Sequence, residues 1–258
     1  SITPTITNLD RNRVDIAIVI AEGKAARIRD INIVGNPTYP DLDIRQGWES
    51  GTTNWLSWYR RDDQYSREKL SGDLEKLSNY YLDRGYVDFN VESTQVAITP
   101  DKRDIFVTAN VAEGEVYTVS SVKVTGDTIL PLEDIKKMVV LQEGMVFSRA
   151  LVELTSDGII ATLGNIGYAF AQVNPVPEID RENRKIGINF FVEPGPRVQV
   201  RRISFVGNST TADEVLRREM RQFEGAWFSQ AAVDRSKVRL QRLGYFETVD
   251  VETPEVAG

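Results

Sequence analysis

Neither cysteine nor histidine occurs anywhere in the chain. Their absence removes thiol nucleophiles, disulfides, thiolate metal sites, imidazole bases and nearly all zinc chemistry together. For acid–base work, carboxylates are what remains. A chain without thiols suits an oxidising compartment, although many cytosolic domains also lack them. Long apolar runs are missing as well: no stretch approaches the roughly 18 to 20 residues needed to cross a bilayer. The opening "SITPTITNLD" also lacks the basic-then-apolar order of a signal peptide. Positive charge is in short supply. A net charge of -7 argues against nucleic acid, whose phosphates are bound by clustered Lys and Arg. Residues 1–114 and 115–195 each carry about -4 and residues 196–258 about +1, so the C-terminal part is the best placed to meet an acidic partner.

What is present is ordinary for a globular chain of 258 residues, with 41% hydrophobic and 27% charged residues. The informative feature is self-similarity. "ARIRDINIVGN" (26–36), "YTVSSVKVTGD" (117–127) and "VQVRRISFVGN" (198–208) each place apolar residues at their third, sixth and eighth positions. Each then ends on a β-branched residue and Gly-Asn or Gly-Asp. This reads as a strand running into a turn, and the step between the third and sixth positions predicts a bulge or a change of packing partner. "AEG" at 21–23 and 112–114 and "EPG" at 193–195 each follow an alternating strand. Their glycines lie 91 and 81 residues apart, the same intervals that separate the strand-end glycines. "DRGYVDFNV", "GNIGYAFAQV" and "QRLGYFETVDV" share a Gly-Tyr that closes a helix and opens a strand.

Two helical patterns lie between the first strand and the Gly-Tyr. In the last repeat Thr211 and Glu214 form a Thr-x-x-Glu capping box, with Leu216, Met220 and Phe223 following at helical spacing. A second helix after Ser229 turns Val233, Leu240 and Leu243 inward. Its counterpart in the first repeat carries Leu70, Leu74, Leu77 and Tyr81 on one face. Each unit therefore reads strand, helix, helix, strand, strand. The divisions expected are 1–23 (a closing hairpin), 24–114, 115–195 and 196–258, the last stopping before a third strand. "EGKA" and "PGP" are short linkers between them.

A tandem strand-helix-helix-strand-strand unit with "GN" after its first strand and "GY" before its second resembles the polypeptide-transport-associated (POTRA) domain. "LSNYYLDRGYVDFNVESTQVAITPDK" and "VLRREMRQFEGAWFS...RLGYFETVD" are similar to the POTRA arrays of bacterial outer-membrane β-barrel assembly proteins. The resemblance covers essentially the whole chain. It implies an α+β fold of tandem POTRA domains, each a three-stranded mixed sheet with two helices on one face. The span would run from the end of the second domain through most of the fifth. It further implies a non-enzymatic scaffold without cofactors, on the periplasmic side of the Gram-negative outer membrane, whose full-length relatives continue into a membrane-embedded barrel. Unfolded outer-membrane precursors would add as strands to its sheet edges, and accessory lipoproteins of the propeller (BamB-like) and helical-repeat (BamD-like) kinds would dock on it. Another POTRA array, of a two-partner secretion or TamA-like transporter, is the rival within the fold. A carboxylate-dependent hydrolase is the rival outside it, but the repeated columns are Gly, Asn, Tyr and strand apolars rather than convergent acids.

Three stretches are candidate contact sites. Phe89, Asn90, Val91 and Glu92 match the place where such third domains carry a bulged edge strand; a plain amphipathic strand with Phe89 and Val91 inward is the alternative. Strand edges are expected over Tyr86–Thr99, Tyr168–Ile179 and Tyr245–Thr253, with Pro175 and Pro177 interrupting the second. Trp55, Trp58 and Tyr59 form an aromatic loop that either packs on its own domain or meets a partner. "LRREMRQFEGAWFS" holds the third set. Aligned on Gly144 and Gly225, Arg217 and Arg218 correspond to Lys136 and Lys137, and Glu224 to Glu143. Glu219 and Arg221 replace Met138 and Val140, so a helix face that is apolar in one unit is charged in the next. The resemblance implies that this region meets the helical-repeat lipoprotein. The alternative is a solvated helix with Asp213–Arg217 and Glu214–Arg218 pairs. "NST" at 208–210 falls on the repeated turn and reads as turn chemistry.

Overall fold

Why the sheets are mixed follows from the order in which each repeat makes its strands. The computed structural model describes residues 2–9, 13–20, 26–50 and 66–254. Residues 1–81 with 88–114 form one compact unit, and residues 82–87 with 115–258 form another.

In the first unit, β1 (Ile2–Leu9) and β2 (Arg13–Ile20) make an antiparallel hairpin. Next come β3 (Arg27–Val34), the short α1 (Asp41–Ile44), α2 (Arg67–Leu82), β4 (Asn90–Ile98) and β5 (Asp104–Ala112). The sheet order is β3-β5-β4. The last strand made is thus the central one, parallel to β3 and antiparallel to β4. Its alternate residues Ile105, Val107, Ala109 and Val111 are buried, as a strand covered on one face requires. The opposite side of the core comes from the buried stripe Leu70, Asp73, Leu77 and Tyr81 on α2, spaced by three or four residues. The expected strand from Tyr86 begins as a ladder only at Asn90.

The second unit repeats the plan with β6 (Thr118–Gly126), α3 (Leu132–Lys136), α4 (Arg149–Asn165), β7 (Gln172–Asp180) and β8 (Lys185–Glu193). Its sheet order is β6-β8-β7. Ile186, Ile188, Phe190 and Val192 of the central β8 meet Val152, Ile159 and Leu163 of α4 in one core. β3 and β6 each carry a register irregularity at the irregular step in their sequence, between Ile28 and Asp30 and between Val119 and Ser121. Gly126 ends β6 at a φ of +92°, and a β-carbon there would collide with the Val192 carbonyl. Phe-Ser precedes the long helix in the last two repeats, at Phe147-Ser148 and Phe228-Ser229. Ser148 caps α4 by accepting from Leu151 N–H, with Phe147 and Val152 buried at the positions of a hydrophobic staple.

Pro175 and Pro177 do not interrupt β7, which pairs with β8 without a break from Gln172 to Asp180. Residues two apart in a strand direct their backbone groups to the same side. Unbroken pairing therefore assigns both missing donors to the open edge, where proline is tolerated.

The third repeat departs from expectation. It forms α5 (Asp213–Arg217) and α6 (Gln230–Arg242), the latter capped by Ser229. Among the described residues, neither 198–206 nor 245–253 forms a ladder, and only an isolated bridge joins Gln199 to Trp227. In the other repeats both outer strands pair with the central strand, never with each other. Among the described residues the third repeat has no central strand with which its outer segments could pair. The predicted capping box is absent too: Ala212 is the N-cap of α5 and no side chain caps it. Because α5 ends at Arg217, Phe223 lies beyond it and is 61% exposed rather than facing the core.

Adjacent phenylalanines on β8 test the face assignment. Phe190→Ala should destabilise the protein by about 3–5 kcal/mol in urea unfolding, the cost of emptying a core site. Phe191→Ala, on the half-open face, should cost less than about 1 kcal/mol.

Candidate interaction surfaces

The buried stripe of each long helix carries a polar residue at a matching place, Asp73 in α2, Thr155 in α4 (where Ser156 is buried beside it) and Ser236 in α6. The three occupy one column of the repeat. Each accepts a backbone N–H from the turn that follows the short helix: Asp73 from Glu49 and Ser50 (both 2.8 Å), Thr155 from Val140 (3.3 Å), and Ser236 from Arg221 (2.8 Å). A buried N–H left unpaired costs about 1–3 kcal/mol, so the column demands an acceptor rather than a particular side chain. The Arg221 backbone is therefore held to the core of its repeat.

Its neighbours are held as well. Arg217 of α5 pairs with Asp213 and with Glu224 (3.1 Å), and its Nη2 donates to the Ile203 carbonyl (3.0 Å). Glu224 Oε1 accepts the Ile203 N–H (2.8 Å). That bond first, and Arg217 second, hold the Glu224 carboxyl below the usual glutamate range. Asp213 first, and Glu224 second, raise the Arg217 guanidinium. The first repeat makes a matching contact at the same spacing: Arg45 donates to the Ile31 carbonyl (3.2 Å), while Asp41 accepts from Ile33 N–H (3.3 Å). Ile31 and Ile33 share a side of β3, so side chains of the short helix occupy the outer edge of that strand. Asn36 and Asn208 both donate to the carbonyl three residues on, at 3.0 Å, which accounts for "NST" as turn chemistry.

Glu219 and Arg221 do not form a charged helix face, because both lie past the end of α5. The Glu219 side chain is only 16% exposed and is held by Arg239 of α6 at 2.7 Å. Arg221 folds back onto the carbonyls of Arg218 and Met220. Arg218 contacts Glu219 at 3.7 Å, so the anticipated Glu214–Arg218 pair is replaced by a neighbouring one, whereas Asp213–Arg217 forms. Arg239 went unnoticed in the sequence because the residue it neutralises lies twenty positions away, on another element.

The open edge of the first unit is β4. A register shift between Val91 and Ser93 makes Glu92 the bulged residue. Phe89 stacks on Tyr81, with centroids 4.3 Å apart, and is half-buried, as is Val91; Asn90 and Glu92 are exposed. Beyond the bulge, Val96 and Ile98 pair with the buried Val107 and Ile105, yet both are exposed. Bulged backbone and half-buried Phe89 and Val91 thus coexist. Trp55, Trp58 and Tyr59 lie outside the described residues.

Comparison with known proteins adds the following. The sequence model of POTRA, described as surface antigen variable number repeat, matches residues 26–114, 117–195 and 198–258. An outer membrane protein assembly factor BamA of Neisseria meningitidis is 33% identical over all of this chain, which covers 32% of that protein. One of Buchnera aphidicola is 31% identical over 93% of this chain and 39% of its own length. The chain thus spans about a third of the length of these relatives. A crystal structure of Haemophilus influenzae BamA POTRA3-5 superposes with a TM-score of 0.74 at 29% identity, over 87% of this chain and 88% of that one.

The lowered acidity range of Glu224 sets a sign for pH. Its contribution to the third repeat is present at neutral pH and is lost as pH falls through its depressed folded value. The Ile203 amide resonance should therefore shift with a midpoint below the ordinary glutamate range, and Glu224→Gln should abolish that transition while leaving an acceptor in place. A midpoint at the ordinary value would remove the charge-assisted bond from the account.

Proposed function

The chain belongs to the POTRA family, and from that premise we propose that it is the periplasmic scaffold of an outer-membrane β-barrel assembly factor, not an enzyme. On this reading residues 1–23 close one POTRA domain, 24–114 and 115–195 are complete ones, and 196–258 are most of another. The full-length protein is anchored in the outer membrane by a barrel. Its clients are unfolded outer-membrane precursors, which it receives by β-augmentation at β4.

The asymmetry of the first sheet carries this proposal. One edge, β3, has backbone groups occupied by Asp41 and Arg45. The other, β4, is an edge strand with exposed Val96 and Ile98. An open row of N–H and C=O groups pairs with any extended chain regardless of side chains, which suits a receptor of diverse precursors. Alternate apolar positions on the edge add affinity for strands that themselves alternate. β7, with two donors missing, is a poorer template. The bulge at Glu92 and the stacked Phe89 limit pairing at one end of β4, and that end is the proposed seat of the propeller lipoprotein.

The helical-repeat lipoprotein is assigned to the third repeat. Arg218 and Arg221 are exposed cations there, and Phe223 and Trp227 are exposed apolar groups in the same run. Arg217 and Glu224 shape this surface while holding Ile203, so their substitution acts on the repeat as well as on a partner. Charge at such a rim governs encounter and selectivity more than final affinity.

Photocrosslinking in cells, in the full-length protein, tests the map. A photoreactive residue at Ile98 should capture precursors, and one at Val176 in β7 should capture few. Probes at Val91 and Arg221 should each capture a lipoprotein. Equal precursor yields from Ile98 and Val176 would overturn the edge assignment, and silence at both Val91 and Arg221 would overturn the docking assignment.

A further inference from the structure

The first strand of the second repeat lacks a cover that its counterparts have. In the first repeat Arg45 and Asp41 take the Ile31 carbonyl and the Ile33 N–H, and in the third Arg217 and Glu224 take both groups of Ile203. At offsets of 91 and 81 residues, Leu132 stands in the column of Asp41 and Asp213, and Lys136 in that of Arg45 and Arg217. Lys136 pairs instead with Glu133 of its own helix, at 3.6 Å. We propose that the outer edge of β6 from Val122 onward binds an extended peptide segment in which apolar residues alternate with acidic ones.

The bonds around β6 show which groups are free. Val119 is turned outward, since its N–H donates to Met145 and its C=O accepts from Gly144. The register irregularity between Val119 and Ser121 makes Val122 and then Val124 the next residues turned that way. The third repeat takes the same step, from Val200, bonded to Gly225 and Ala226, to Ile203. Beyond the β6–β8 ladder, no hydrogen bond among the described residues uses the backbone of Val122 or Val124. Two donors and two acceptors therefore lie in a row, which is what strand addition requires. β6 also has no proline, whereas the open edge of β7 has two.

The groove beside this edge specifies its occupant. It encloses about 540 Å³, and Leu132, Val139 and Leu141 line it together with Lys123 and Lys136 and no carboxylate. Leu132, at a position that is aspartate in both other repeats, is 48% exposed. Lys123 and Lys136 are held only by exposed pairs, to Glu178 and Glu133 at 3.6 Å, which contribute little. Val122 and Val124 pack on the core, so Lys123 points to the opposite face of the sheet. A strand added here sets its alternate residues toward Leu132 and Val139 on one face and toward Lys123 on the other, which selects apolar and acidic side chains in turn. The site is separate from β4 and does not depend on the role assigned to that edge.

Nuclear magnetic resonance titration of the whole chain tests this. The probe is a short blocked peptide alternating valine with glutamate, and its control carries lysine in place of glutamate. The glutamate peptide should shift the Val122 and Val124 amides and slow their hydrogen exchange. The lysine peptide should bind there roughly tenfold more weakly or worse, because it sets like charges against each other. Leu132→Asp/Lys136→Arg, which rebuilds the cover of the other repeats, should abolish the response; both side chains are exposed, so circular dichroism should be unchanged. If that variant fails to fold, the two peptides on the native chain decide the matter. Val122 and Val124 amides already protected without peptide, shifts confined to β4, equal binding of the two peptides, or a folded double variant that responds like the native chain would each overturn the proposal. So would shifts at Val122 and Val124 that follow protein concentration alone, which would make a second copy the occupant.

Discussion

Every complete sheet in this molecule depends on a strand that is paired on both sides and made last. β5 and β8 supply the parallel partner of the first strand, the antiparallel partner of the second, and the alternating residues on which the helices rest. The third repeat shows what that dependence means. Its helices form, the longer one capped by Ser229, and Phe228 and Leu216 are buried, but among the described residues its two outer segments have no central strand between them and form no ladder. Helices close their hydrogen bonds locally, whereas strands borrow a partner from elsewhere in the chain.

Several parts of the fold were legible because they rest on local rules. Glycine at the end of the first strand, serine before the long helix and alternation in the central strand each have a cause within a few residues, and each recurs from repeat to repeat. The short helices were not legible. Four or five residues complete little more than one turn, so "VLRREMRQF" offered a helical period that the chain abandons at Arg217. The buried acceptor was invisible for a different reason. Asp73, Thr155 and Ser236 share no residue type, only the capacity to accept an N–H, and side-by-side alignment does not display that.

The candidate surfaces divide along the same line. Comparing repeats singled out Glu219 and Arg221 as substitutions, but what they face is set by tertiary structure: Arg239 for one, the chain's own carbonyls for the other. Arg217 and Glu224 bind the edge of their own first strand, so whatever they offer a partner is superimposed on a structural task. The bulged β4 edge was better anticipated, since resemblance pointed to "FNVEST" and the register shift falls within it.

The late position of the central strand also bears on how the chain reaches its structure. β3 at Arg27–Val34 waits for β5 at Asp104–Ala112, so the decisive pairing is remote in sequence and its loop must close before the contact is rewarded. Such topologies fold slowly. During synthesis or delivery from the N-terminus, each repeat passes through a stage in which its helices exist and its sheet does not.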